Sequence, residues 1–95
     1  MRYLAVTRCR AGAWDHSREL DEQAGFAEHA SFMNALVAEG FVVLGGPLDD
    51  EDSTLLIVDA PDEGAVRARL AGDPWSAMGL LELTAVVGWE ILLGA

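Results

Sequence analysis

The apolar positions of the chain follow two different periods, which predicts alternating strands and helices. Alternating or uninterrupted apolar runs, typical of strands, cover residues 3–9, 41–44, 54–59 and 81–93. Helical spacing predicts a first helix over about 20–39 and a second that starts at 59–63 and ends near Gly72. The elements therefore follow the order β-α-β-β-α-β, which is the ferredoxin-like arrangement.

The first helix carries one apolar stripe and a histidine beside it. The stripe repeats at i, i+4, i+7 and i+11 and consists of Phe26, Ala30, Met33 and Val37. His29 lies at the edge of this stripe, so we expect its imidazole at the boundary between core and solvent. Proline disfavours helical backbone at the residue before it, so Asp73, which precedes Pro74, should present its carboxylate from a turn.

The last strand predicts a sheet with two different faces. Its fully apolar face consists of Leu81, Leu83, Ala85, Val87, Trp89, Ile91 and Leu93, and its other face is mixed. Two helices cover only one face of four antiparallel strands, so the other face needs a partner. We expect one domain over residues 1–95 that pairs as a homodimer, since small domains often complete their cores by association.

The charge of the chain limits its partners. Sixteen acidic and 6 basic residues give a net charge of −10, whereas nucleic-acid binding needs a basic surface. We therefore expect neither nucleic acid nor an anionic membrane as a partner, although a locally positive pocket can still bind a small anion. The sequence lacks an apolar run long enough for a membrane span and the apolar core of a signal peptide, so we expect a cytoplasmic protein.

Three further features are open to more than one interpretation. Cys9 is the single cysteine, which excludes an internal disulfide and a cysteine metal site. The acidic run 49–52 lacks the ligand spacing and glycine of a calcium loop, so we interpret it as a solvated hairpin tip. Trp14, in a predicted loop over 10–21, is either a lid over a pocket or a plug at the edge of the core.

His29 and Asp73 are the residues best suited to chemistry. The sequence shows no phosphate loop, no metal-ligand spacing between His16 and His29, and no nucleophile elbow. A histidine is a useful base near neutral pH when a carboxylate fixes its tautomer and stabilises the imidazolium. From the residues alone, a structural histidine is the commoner interpretation.

The chain resembles the YCII-related family of small proteins along nearly its whole length. The resemblance lies in His29 on its helix, the strand ending GGPL, the helix entry LLIVDAPD and the turn DPW, in that order. It implies a dimeric α+β barrel of two ferredoxin-like units and an active site whose histidine and aspartate correspond to His29 and Asp73. It also implies proton transfer on a small cyclic or aromatic, acid-like substrate.

Two functional hypotheses follow. In the first, the protein is a cofactor-independent and metal-independent enzyme of isomerase, lyase or hydrolase type, in which His29 moves a proton and Asp73 orients it. Met33, Pro47 and Trp75 are expected to form the apolar wall of its pocket. In the alternative, the same dimer is a non-catalytic binding or accessory module for a small metabolite. A purely structural dimerisation unit would lack a ligand-sized cavity.

Overall fold

The strands and helices follow the predicted order in a computed structural model, which describes residues 1–94. The strands are β1 (Arg2–Arg10), β2 (Val42–Pro47), β3 (Ser53–Val58) and β4 (Leu81–Glu90), and the helices are α1 (Phe26–Ala38), α2 (Glu63–Leu70) and the short α3 (Pro74–Ala77). The strands form one sheet in the order β2-β3-β1-β4, and all neighbours are antiparallel. The predicted α+β fold and its four-stranded antiparallel sheet are confirmed.

The main core lies between the sheet and the two longer helices. Its buried members are Val6, Leu36, Phe41, Val42, Leu56, Val58, Val66 and Leu70. Directly paired residues of antiparallel strands share a face. Val6 pairs with Leu56 on one side and Val86 on the other, so α1 and α2 cover the same face of the sheet, as predicted.

Helix α1 begins later than predicted and turns a different stripe to the core. Residues Leu20–Glu22 form a separate 3-10 turn, and Gly25, with a φ of 73°, precedes the helix. This left-handed backbone suits glycine because it has no Cβ. The inward-facing residues are spaced at i, i+3, i+4 and i+7, and they are His29, Phe32, Met33 and Leu36. Val37 is 53% exposed, so the predicted stripe is wrong there, and His29 lies within the inward stripe.

A β-bulge in β4 inverts the predicted pattern of its faces. The ladder between β1 and β4 skips Thr84, which lies between the pairs Thr7–Ala85 and Arg8–Leu83. An extra residue moves every later side chain to the opposite face. Val86 therefore packs against the core, whereas Val87 and Trp89 are 59% and 44% exposed. The prediction of one continuous apolar face is wrong beyond the bulge.

The ends of two other predicted strands also differ. The pairing of β2 with β3 shifts between Val42 and Leu44, so Phe41 and Val42 are buried while Leu44 is 68% exposed. The run 41–44 is therefore not the uniformly buried strand that its composition predicts. Strand β4 ends at Glu90 instead of residue 93. Exposed apolar side chains thus collect on the sheet face away from the helices.

Candidate active site

Asp73 is positioned by the start of α3. Its extended backbone, with φ −66° and ψ 125°, leads into Pro74 at the beginning of the helix, a combination that proline favours. The Oδ1 atom of Asp73 accepts a hydrogen bond from the backbone N–H of Trp75 at 3.0 Å. The predicted turn is therefore a short helix, and Asp73 is its N-cap residue.

The carboxylate of Asp73 joins three elements. The residue is fully buried, with 0% exposure. The Nδ1 atom of His29 on α1 lies 2.8 Å from Oδ1 and 2.8 Å from Oδ2. A terminal guanidinium nitrogen of Arg8 on β1 donates to Oδ2 at 2.7 Å. The structure thus brings the two predicted residues together and adds an arginine that the sequence analysis did not select.

The hydrogen bonds of this cluster keep the Asp73 carboxylate ionised. Burial alone would raise the pKa of the Asp73 carboxyl, but hydrogen bonds from His29, Arg8 and the Trp75 N–H together lower it below the ordinary value of 3.8. Asp73 is therefore ionised at neutral pH and can only accept hydrogen bonds. The Nδ1 atom of His29 must then carry a proton, which leaves Nε2 as the nitrogen able to accept one.

The imidazole ring of His29 is also held across its face. It stacks on the indole of Trp75 with a centroid separation of 3.8 Å and an interplanar angle of 8°. The indole N–H donates to the carbonyl of Ala24 at 2.7 Å, and Trp14 packs edge-on against the same indole at 5.3 Å. Because the edge and the face of the ring are both fixed, His29 is pre-oriented. An aromatic face also stabilises an imidazolium by cation–π attraction.

Arg8 is the member of this cluster that sequence reasoning missed. Leu4, Val6 and Arg8 alternate along β1, so they share the face that packs against the helices. An arginine on a core-facing position needs a buried anionic partner, and that was the available signal. Arg8 is only 2% exposed, and its other terminal nitrogen donates to the sulphur of Met33 at 3.5 Å.

A cavity of about 190 Å³ opens beside His29. Its wall includes the three predicted apolar residues, Met33, Pro47 and Trp75. Trp14 also lines it while being only 6% exposed, so it is both a plug in the core and part of the wall. An apolar cavity of about 150 Å³ holds one benzene molecule, so this cavity has room for one small ring.

Neither a metal-ligand cluster nor a membrane-spanning helix is found among the described residues 1–94. Within residues 1–94, no group of three or more histidine, cysteine, aspartate or glutamate side chains is arranged to hold a metal ion. No helix in the same range is long and apolar enough to cross a membrane.

The acidic run 49–52 closes the β2–β3 hairpin, where Asp50 accepts hydrogen bonds from the N–H groups of Asp52 and Ser53.

The fold and the cluster define a class: a small ferredoxin-like α+β protein in which a partly buried histidine contacts a buried aspartate beside a cavity. The chain belongs to the YCII-related domain family, which matches residues 1–90. A comparison with curated proteins gives no match.

Among solved structures, the chain is similar to 5-chloro-2-hydroxyhydroquinone dehydrochlorinase from Burkholderia phenoliruptrix, determined in complex with 2,5-dihydroxybenzoquinone. The two share 24% sequence identity, with a TM-score of 0.58, and the match covers 99% of this chain and 96% of that one. A likeness at this level of identity shows a common fold.

We expect Arg8 and Asp73 to be strongly coupled in stability. Arg8→Met should lower the free energy of unfolding by about 3–5 kcal/mol, because it leaves a buried carboxylate without its permanent positive partner. Arg8→Met combined with Asp73→Asn should cost clearly less than the sum of the two single changes. Urea unfolding of the four proteins measures this coupling. Arg67→Met, which removes an exposed pair with Glu63, is the control and should change little; strict additivity would contradict the coupling.

The ionised state of Asp73 should also appear in the pH dependence of stability. Because its pKa is lowered on folding from the ordinary value of 3.8, its contribution is present above that value and is lost as pH falls through the folded value. The gap in unfolding free energy between the native protein and Asp73→Asn should therefore narrow below about pH 4.

Urea unfolding between neutral and acidic pH measures that gap. The pKa values of Asp15 and Asp50 are also lowered, mainly by hydrogen bonds from Ser17 and Ser53. These two groups titrate in both proteins and cancel in the difference. A gap that stays constant with pH would mean that the pKa of Asp73 is not lowered on folding.

Proposed function

We propose that this protein is a small, cofactor-independent enzyme that transfers a proton on a small cyclic or aromatic metabolite. The observation that carries the proposal is the contact of His29 Nδ1 with the buried Asp73 carboxylate while the ring lines a ligand-sized cavity. In this role His29 is the base and Asp73 orients it. The dehydrochlorinase of similar fold supports the same class of substrate.

The proposed chemistry begins at Nε2 of His29. Nε2 accepts a proton from a carbon or hydroxyl group of the bound molecule, and the ring becomes an imidazolium while the substrate becomes an anion. Ionised Asp73 stabilises the imidazolium through Nδ1. Arg8 keeps the carboxylate ionised, so that His29 changes protonation state and Asp73 does not. Return of the proton to another atom gives isomerisation, and departure of a leaving group from the anion gives elimination.

The walls of the cavity support this chemistry. Met33, Pro47 and Trp75 give the cavity that His29 lines an apolar wall, which limits competition from water for Nε2. A low-dielectric surrounding also strengthens the interaction between the imidazolium and the carboxylate. The stacked Trp75 fixes the direction in which Nε2 points, which is the main structural requirement of a general base.

We further propose that the protein acts as a homodimer that buries the open face of its sheet. Leu44, Val87 and Trp89 on this face are 68%, 59% and 44% exposed. Leu44 and Val87 lie on opposite edge strands and are linked across this face by the paired residues Ile57 and Ala5. A large apolar surface of this kind marks an interaction site. A second copy supplies an identical apolar sheet face, and it covers both faces at once under two-fold symmetry. Such pairing is the dimeric α+β barrel that the family resemblance implies.

His29→Gln should remove turnover while the fold is kept. Loss of a general base costs about 10²- to 10⁴-fold in rate. A first substrate to test is 5-chloro-2-hydroxyhydroquinone, with chloride release as the readout, followed by related hydroxylated rings. His16→Gln is a matched control, because His16 is exposed on the 10–21 loop, and it should keep full activity.

The alternative binding module has a distinct signature. Binding of 2,5-dihydroxybenzoquinone that weakens in His29→Gln, with no turnover of any tested ring by the native protein, would favour the non-catalytic module. Turnover that is equal in the native protein and His29→Gln would contradict the role of His29 as the base.

The proposed dimer should be broken by a charge on the open sheet face. Val87→Glu should convert dimers to monomers in sedimentation velocity experiments, because two carboxylates would be buried across the interface. Val37→Glu is the matched control, since Val37 is similarly exposed at 53% but lies on α1. A native protein that sediments as a monomer, or a dimer that Val87→Glu leaves intact, would rule out this interface.

A further inference from the structure

The cavity beside His29 is basic in a strongly acidic protein. Two of the 6 basic residues of the chain, Arg8 and Arg10, line it. Of the 16 acidic residues, all within the described range 1–94, none lines it. Charges of one sign in a concave site with low-dielectric walls focus the electrostatic field and attract ligands of the opposite charge. The distribution of charge thus separates an acidic exterior from a basic cavity.

Arg10 supplies the net positive charge of this cavity. The charge of Arg8 is balanced by Asp73 at 2.7 Å, whereas within residues 1–94 no carboxylate forms an ion pair with Arg10. The guanidinium of Arg10 lies 4.5 Å from the centroid of the Trp14 ring and donates to the backbone carbonyl of Glu51. These contacts fix its position, and without a paired carboxylate its charge also acts on Asp50 of the neighbouring acidic run 49–52.

Arg8 also carries a hydrogen-bond donor that no described residue satisfies. Its Nε–H is buried and has no hydrogen-bond partner among the described residues. A buried donor without an acceptor costs about 1–3 kcal/mol. Arg8 lines the cavity together with Arg10, so the same wall carries two guanidinium groups.

We propose that the cavity binds its ligand as an anion, namely one small ring bearing a carboxylate or a deprotonated hydroxyl group. Arg10 pairs with the charge, and Trp14 and Trp75 contact the ring. The cavity of about 190 Å³ sets the limit at a single ring, since sites for drug-sized ligands span about 300–1,000 Å³. This inference rests on the proposed function in one respect: the cavity beside His29 is taken to be the site where the substrate binds. Within that cavity, Arg10 is the residue that determines specificity for an anionic ligand.

The test compares two probes of nearly the same shape, benzoate and benzamide, by isothermal titration calorimetry on the native protein. Benzoate should bind about 10-fold or more tightly than benzamide, because a charge-assisted hydrogen bond is stronger than a neutral one. Arg10→Gln should weaken benzoate binding about 10- to 100-fold and leave benzamide binding little changed. Arg10→Lys should restore part of the preference, because it keeps the charge without the planar fork.

Arg69→Gln is the matched control. Arg69 also lies over an aromatic ring, 4.9 Å from the centroid of Phe41, but outside the cavity. The Arg69→Gln variant should bind benzoate with the same affinity as the native protein. Equal binding of the two probes by the native protein, native affinity for benzoate in Arg10→Gln, or no benzoate binding at millimolar concentrations would each overturn the proposal.

The outcome is distinguishable from that of the proposed enzyme function. Arg10-dependent benzoate binding in a protein without turnover would leave the anion site in place and remove the catalytic role of His29. Turnover that depends on His29 but not on Arg10 would support the catalytic role of His29 and contradict the anion site.

Discussion

The structure depends on one buried carboxylate. Asp73 lies 44 residues from His29 and 65 residues from Arg8 along the chain, and it ties α1, β1 and the start of α3 to a single point. Without solvent, its charge is tolerable only if these donors are all in place. The same contacts that make burial possible therefore also build the site. Fold and candidate chemistry cannot be separated at this position.

Each partner of Asp73 has a second task. Arg8 holds the carboxylate in its ionised form, and that form fixes the tautomer of His29. The backbone N–H of Trp75 donates to Asp73, the N-cap residue of α3, while the Trp75 indole stacks on the imidazole at 3.8 Å. A small domain has little core to spare, so it places structural and functional demands on the same side chains. Stability and activity are expected to change together when these residues are altered.

The sequence predicted the order of elements, the antiparallel sheet and the residues His29 and Asp73, because periodicity and family resemblance carry this information. Which residues of a strand or helix face the core could not be predicted in the same way. A bulge at Thr84 inverts a strand face through non-local pairing. Gly25 delays the start of α1, and packing turns His29 rather than Val37 inward. Arg8 was predictable in principle, since it alternates with Leu4 and Val6, but its partner lies 65 residues away.

The separation of charge adds a filter on what reaches the site. A net charge of −10 repels polyanions over a distance of about 8 Å at physiological ionic strength. A ring with one negative charge meets a much smaller barrier and, once inside, lies within direct reach of Arg10, where screening by salt is weak. Long-range repulsion thus disfavours polyanions, while in the proposed anion site short-range attraction retains a small anion. The acidic exterior and the basic cavity act together in selecting the ligand.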